Sequence, residues 1–273
     1  MSGHDTTDMT LGFIGAGKMA EALISGILKN GVCTPERIIA ADISPERLEY
    51  MKSTFGIRTT EKNQEAAKEA DCLFIAVKPY LAVEAVREVA HELSGVLVVS
   101  IAAGVTLAIL EEAAGKDVAV IRVMPNTPAL VGCGMAALAA GTHASDTAVE
   151  RAKKIMEAVG EAVVVDEDKM DAVTAVSGSG PAYIYLVIEA MADGGVRAGL
   201  PRDVALRLAA KTAMGAAHMV LETGEHPGRL KDNVASPGGT TIEAMAALEK
   251  SGVRGAFIEA IEKACRRAKE MGS

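Results

Sequence analysis

A doubly wound α/β sheet followed by an all-helical domain is the fold class that this 273-residue chain predicts. Three observations carry that reading. Short apolar runs alternate with helical stretches as far as about residue 165, a cluster of glycines directly follows the first run, and beyond Asp166 only helical periodicity remains. Strand and helix in alternation specify a parallel sheet, because each parallel crossover needs a dozen or more residues and a helix fills them. The expected divisions are a flexible tail over residues 1–10, the α/β domain over 11–165 and the helical domain over 166–273.

Taken in order, Leu11–Ile14 reads as a short strand and Lys18–Asn30 as a helix ended by Gly31. Ile38–Ala41 is a second strand; Ser44 and Pro45 open the helix behind it, serine as cap and proline in the first turn. Cys72–Val77, Val96–Ile101 and Val118–Met124 are continuous apolar runs, the pattern of strands buried on both faces. Helical stretches at Leu81–Leu93 and Thr106–Ala114 separate them, and two further strands, Met135–Ala140 and Ala162–Val165, flank a helix over Ser145–Val159. Helices are then expected at Lys169–Val176, Ala182–Ala198, Arg202–Thr223, Ile242–Lys250 and Ala256–Met271, punctuated by Gly199-Leu-Pro201 and Glu225-His-Pro-Gly228. Ala182–Ala192 carries few charges around its circumference, and a helical domain of about a hundred residues has little interior to cover it. Self-association, at least to a dimer, is the expected remedy.

Composition narrows the function classes. With four Phe, four Tyr and no Trp, the core is aliphatic and base stacking on aromatic side chains is a poor fit. A net charge of −8, with neither domain basic, argues against nucleic-acid and anionic-membrane partners. Cys33, Cys72, Cys133 and Cys265 are widely spaced and read as reduced thiols of a cytoplasmic protein. Residues 1–10 are polar and lack the apolar stretch of a signal peptide. The five histidines are isolated, and no metal-ligand spacing exists.

Gly15, Gly17 and Ala20 fit G-x-G-x-x-A immediately after the first strand, which makes the domain Rossmann-like and predicts a dinucleotide at Gly15, Ala16, Gly17, Lys18 and Met19. A P-loop reading from Gly12 to Lys18 fails, because Met19 stands where a magnesium-binding hydroxyl belongs. Asp42 ends the second strand, where an acid can accept from ribose hydroxyls and repel a 2′-phosphate. Ser44 and Arg47 on the adjoining turn are alternative holders of a 2′-phosphate, and Asp42 and Ser44 as simple turn caps are a third reading. Ala76, Val77, Lys78 and Pro79, and Ala102, Ala103 and Gly104, follow later strand ends that line the ligand crevice of such sheets. Asn126 could hydrogen-bond a nicotinamide carboxamide, although an Asn between prolines is more often just a turn residue. Ser177-Gly-Ser-Gly-Pro is no nucleophile elbow; Ser179 is expected to cap a helix.

The segment Lys231–Thr241 points to a reaction. Pro237, Gly238 and Gly239 hold off the helix, and Thr240 with Glu243 has the spacing of a capping box. Small residues leading to a helix start leave bare backbone N–H groups for a carboxylate or phosphate. Gly239 and Thr240 supply the expected N–H groups, helped by Ser236, and Thr241 offers a neutral donor.

In order along the chain, Gly15-Ala-Gly17-Lys-Met, Ala76-Val-Lys-Pro79, Arg122-Val-Met-Pro-Asn-Thr-Pro128, Ser177-Gly-Ser-Gly-Pro-Ala-Tyr183, Gly224-Glu-His-Pro-Gly228 and Ser236-Pro-Gly-Gly-Thr-Thr241 resemble the pyrroline-5-carboxylate reductases. The resemblance implies reduction of a cyclic imine to L-proline with NADP(H) or NAD(H). It places Asn63, Ala103 and Asn233 beside the cofactor with the residues above, and Glu167, Ser236, Gly239, Thr240 and Thr241 beside the substrate, with Thr241 catalytic. It also implies an intertwined homodimer, able to build a decamer, whose substrate lies between one subunit's nicotinamide and its partner's helical domain. Asp42 departs from the family, whose members often carry small or basic groups there for NADP. Two other readings of the residues stay open: a β-hydroxyacid dehydrogenase with Lys211 as base, and a nucleotide sensor without catalysis.

Overall fold

Four-residue apolar runs with every side chain buried can only be inner strands of a covered sheet. The computed structural model describes residues 8–272. Among them, strands β1 (Leu11–Ile14), β2 (Ile38–Ala41), β3 (Arg58–Thr60), β4 (Cys72–Ile75), β5 (Leu97–Ser100), β6 (Ala119–Met124), β7 (Gly134–Ala140) and β8 (Gly160–Val164) form one sheet in the order β3-β2-β1-β4-β5-β6-β7-β8. Helices α1 (Lys18–Lys29), α2 (Pro45–Phe55), α3 (Asn63–Lys68), α4 (Pro79–Val89), α5 (Leu107–Ala114) and α6 (Asp146–Met156) alternate with the strands. Two cores result. One is built on Phe13 and Phe74, whose rings stack 4.8 Å apart, with Leu23, Ile24 and Ile27 of α1. The other joins Leu73, Ile75 and Val98 to Val86 and Val89 of α4 and Leu110 of α5.

Several expectations need correcting. The sheet is not wholly parallel: β7 runs antiparallel to β6. The link between them, residues 125–133 with a single 3-10 turn over Thr127–Val131, is too short for a helical crossover. The tail does not extend to residue 10. Met9 packs into the first core, and the Thr10 N–H donates to an Asp71 carboxylate oxygen at 2.7 Å. Residues 1–7 of that expected tail lie outside the described residues. The helix expected at Lys169–Val176 is a 3-10 turn (Glu167–Lys169), a short α7 (Met170–Val173) and a π turn (Thr174–Gly178). Ser179 follows that π turn with helical rather than extended backbone, φ −86° and ψ −24°, and so does not present its hydroxyl as a cap.

Two compact units emerge: residues 8–178 with 264–272, and Ser179–Lys263. The first unit therefore runs past the expected limit of residue 165, because Met170 is buried in the second core with Val173 packed against it. The second unit contains α8 (Gly180–Arg197), α9 (Arg202–Thr223), α10 (Pro227–Asn233), α11 (Thr240–Lys250) and the start of α12 (Val253–Met271). In it α8 and α9 meet through Ala192, Ala205 and Ala209, the buried apolar residues among those described. Leu186, Leu208, Leu221 and Ile258 are each about half exposed or more.

Candidate active site

The strand order reverses beside β1, with β2 on one side and β4 on the other, and this is where open α/β sheets bind ligands. A cleft of about 710 Å³ opens there. Gly15, Gly17, Lys18, Met19, Asp42, Asn63, Ala76, Val77, Lys78 and Pro79 all line it, so the structure brings together ten of the predicted cofactor residues.

Two glycines show what the cleft is shaped for. Gly15 has φ +96°, and a Cβ there would fall 2.7 Å from the Ala76 carbonyl oxygen; both turn geometry and close strand approach demand glycine. Gly17 differs. Its φ is −67°, and a Cβ would meet no atom of the described residues within 4 Å. Neither backbone conformation nor internal packing requires a glycine at 17. The glycine leaves the N-terminus of α1 bare on the cleft side, an opening of the kind a dinucleotide pyrophosphate uses.

Asp42 is held from two sides. Its Oδ2 accepts the Ala16 N–H at 2.8 Å and its Oδ1 accepts the Ser44 N–H at 3.0 Å. Ser44 itself caps α2, its hydroxyl accepting the Arg47 N–H at 3.2 Å. Arg47 donates to the Ala16 carbonyl and to Glu21, and its guanidinium lies 4.7 Å from the centre of the Tyr50 ring. Asn63 Nδ2 donates to Glu88 at 2.7 Å, which fixes that amide at the cleft edge.

Three predicted residues are bound up in the protein itself. Asn126 is a brace: its Oδ1 accepts the Met135 N–H at 2.9 Å, and its Nδ2 donates to the Ser177 carbonyl at 3.3 Å. Those bonds give an Asn between two prolines a structural role of its own. Glu167 Oε1 accepts the Leu107 N–H at 2.6 Å and the buried Arg122 guanidinium at 3.1 Å, so it caps α5 and neutralises Arg122. Ala102 is buried beneath the loop that carries Ala103 and Gly104.

Residues missed from the sequence include Ile43, Tyr80, Glu84 and Glu88 of the cleft wall. The last three recur every four residues along α4 and so mark one helical face; that spacing was the available signal.

In the second unit, Asn233 ends α10, a helix whose start is capped by His226 Nδ1 accepting the Gly228 N–H at 3.1 Å. The turn at Ser236 corrects two expectations. The Gly239 N–H is spent on the Ser236 carbonyl at 3.0 Å, closing a turn over Pro237 and Gly238, the latter at φ +64°. Gly239 is the extended N-cap of α11, so Thr240 is its first helical residue and not the cap of a capping box. The helix start that remains available to an anion is formed by the N–H groups of Thr240 and Thr241.

Comparison with known proteins bears on both units. The family model for pyrroline-5-carboxylate reductase dimerisation matches residues 167–271, and that for coenzyme F420-dependent NADP oxidoreductases matches 10–104. A pyrroline-5-carboxylate reductase of Synechocystis sp. is 48% identical over 96% of this chain and 98% of its own length. The solved structure of one from Coxiella burnetii aligns with a TM-score of 0.92 at 38% identity, covering 97% of this chain and 99% of that one. The Plasmodium falciparum enzyme, solved with NADP bound, aligns with a TM-score of 0.88 at 34% identity over 98% of this chain and 99% of that one. These likenesses span both units and displace the hydroxyacid-dehydrogenase and sensor readings. The chain belongs to the pyrroline-5-carboxylate reductase family.

Proposed function

We propose that this chain reduces Δ1-pyrroline-5-carboxylate to L-proline with NADPH or NADH, the last step of proline synthesis. The observation that carries this is the cleft at Gly17, open to a pyrophosphate in a chain whose full length resembles enzymes of that activity. The bound dinucleotide supplies the hydride; the protein orients the imine. The N–H groups of Thr240 and Thr241 receive the substrate carboxylate, and the Thr241 hydroxyl donates to the imine nitrogen. Hydride adds to the imine carbon while the nitrogen gains one proton, so the C=N bond becomes CH–NH. Such a reduction requires orientation and electrostatics rather than a nucleophile.

The working form in this proposal is a cytoplasmic homodimer built through the second unit, with dimers joining into a decamer. Support comes from the dimerisation-domain match and from the apolar side chains that α8 and α9 leave exposed. Helix α9 is long and apolar enough, by length and composition, to cross a membrane. In a domain of this family its apolar surface is read as a subunit interface.

The test is oxidation of NADPH and NADH with pyrroline-5-carboxylate as substrate. Turnover with at least one cofactor is expected, and none with either would overturn the assignment. Thr241→Ala should lower kcat by about 10- to 1000-fold with nucleotide binding intact, while Thr241→Ser retains most activity. Wild-type turnover by Thr241→Ala would remove Thr241 from the chemistry.

A further inference from the structure

We infer that Asp42 makes this chain select a dinucleotide with a free ribose diol, NADH, over its 2′-phosphorylated counterpart. The inference rests on the proposed use of a nicotinamide cofactor and concerns which one the cleft accepts. A carboxylate has about four acceptor positions and no donor. Asp42 uses one on each oxygen, for the Ala16 and Ser44 N–H groups. Two acceptor positions remain, and a vicinal diol brings two donors. A 2′-phosphate brings acceptors and negative charge, so it meets Asp42 with no hydrogen to share.

The carboxylate cannot swing aside. Its bond to Ala16 lies inside the glycine turn, and its bond to Ser44 fixes the start of α2. Compensating cations are also out of place. Arg47, the nearest in sequence, is engaged by the Ala16 carbonyl and Glu21 and stacked on Tyr50. Residue 43, next to Asp42 on the cleft wall, is an isoleucine 93% exposed. Among the described residues Lys18 and Lys78 are the cations lining the cleft. Lys18 stands at the pyrophosphate turn, paired with Glu21 at 3.3 Å. Lys78 follows β4, two strand spacings from β2, or about 10 Å. Glu84 and Glu88 make the cleft wall more acidic still. The NADP carried by the Plasmodium relative belongs to that protein's cleft and not to this wall.

The experiment measures calorimetric binding of ADP-ribose and 2′-phospho-ADP-ribose to the full chain. Neither fragment contains nicotinamide, so failure of imine reduction leaves this readout untouched. ADP-ribose should bind about 10-fold tighter or more, since like charges brought together oppose binding strongly. Ile43→Arg leaves both Asp42 hydrogen bonds in place and should narrow the ratio by about 5-fold or more by adding a cation. Asp42→Asn, which keeps an acceptor for the Ala16 N–H, should narrow it as well. Equal or tighter wild-type binding of the phosphorylated fragment overturns the inference. So does an Asp42→Asn variant that weakens both fragments equally, since Asp42 would then only prop the glycine turn.

Discussion

The two units draw on the same aliphatic supply and use it in opposite ways. In the first, Phe13, Leu73, Phe74 and Ile75 are sealed between helices, and the sheet closes its own core. In the second, Ala192, Ala205 and Ala209 are the buried apolar residues among those described, while Leu186 and Leu221 are 65% and 69% exposed. A sheet covered on both faces completes itself. A pair of helices touching through alanines has burial on one side only, and its larger residues are the surface that the proposed dimer would cover. With the proposed dimer, stability in the first unit is a property of one chain, and in the second a property of the assembly.

The largest effect should come from breaking that dependence. Leu186→Glu combined with Leu221→Glu should weaken self-association by about 100-fold or more, at about tenfold or greater per lost anchor. Light scattering would show smaller species with reductase activity lost, while ADP-ribose binding in the first unit persists. A wild-type monomer that is stable and active at low micromolar concentration would sink the comparison. Next, Phe74→Ala should cost about 3–5 kcal/mol in the first unit, because it leaves a cavity beside Phe13. Denaturant titration should give the same loss at every protein concentration; a concentration-dependent loss would tie the first core to the assembly as well.

The smallest effect sharpens the picture within the first unit. Burial pushes the Glu21 carboxyl up, but hydrogen bonds from Arg47, Tyr50 and Lys18 outweigh it and leave its pKa lowered. A lowered folded-state pKa means stability that is present above the ordinary carboxylate range and lost as pH falls through the folded value. Glu21→Gln should therefore flatten the acid limb of stability below about pH 4.5, by about 1 kcal/mol or less. An unchanged acid limb would show that the Glu21–Arg47 pair contributes nothing measurable.

Legibility in the sequence followed burial. β1, β2, β4 and β5 were visible because both faces are covered and every residue is apolar or small, and β6 because Arg122 is the one exception in its apolar run. Edge strand β3, Arg-Thr-Thr and partly exposed, has no apolar run to find, and α3 is six residues with two buried alanines. The direction of β7 is encoded in the length of its connection and not in its own residues. At the site, glycine spacing identified the nucleotide turn, but hydrogen bonding decided the rest. Asn126, Glu167 and the Gly239 N–H all have partners distant or backward in sequence that no local pattern announces. Thr240 and Glu243 matched a capping box, yet Gly239 took the extended position one residue earlier. Tyr80, Glu84 and Glu88 were readable as a face of α4, since their period is a property of the helix itself.

Residues 264–272 belong to the first unit although the second separates them from its other residues. The end of α12 returns to the loop after β5, where the Met271 carbonyl oxygen would lie 3.5 Å from a Cβ at position 104. The second unit is thus an insertion, and the nucleotide-binding unit is discontinuous. During synthesis the ribosome delivers the sheet before roughly the last two turns of α12, with the whole of residues 179–263 made in between. The nucleotide-binding unit is thus completed only after the intervening residues 179–263 have been made.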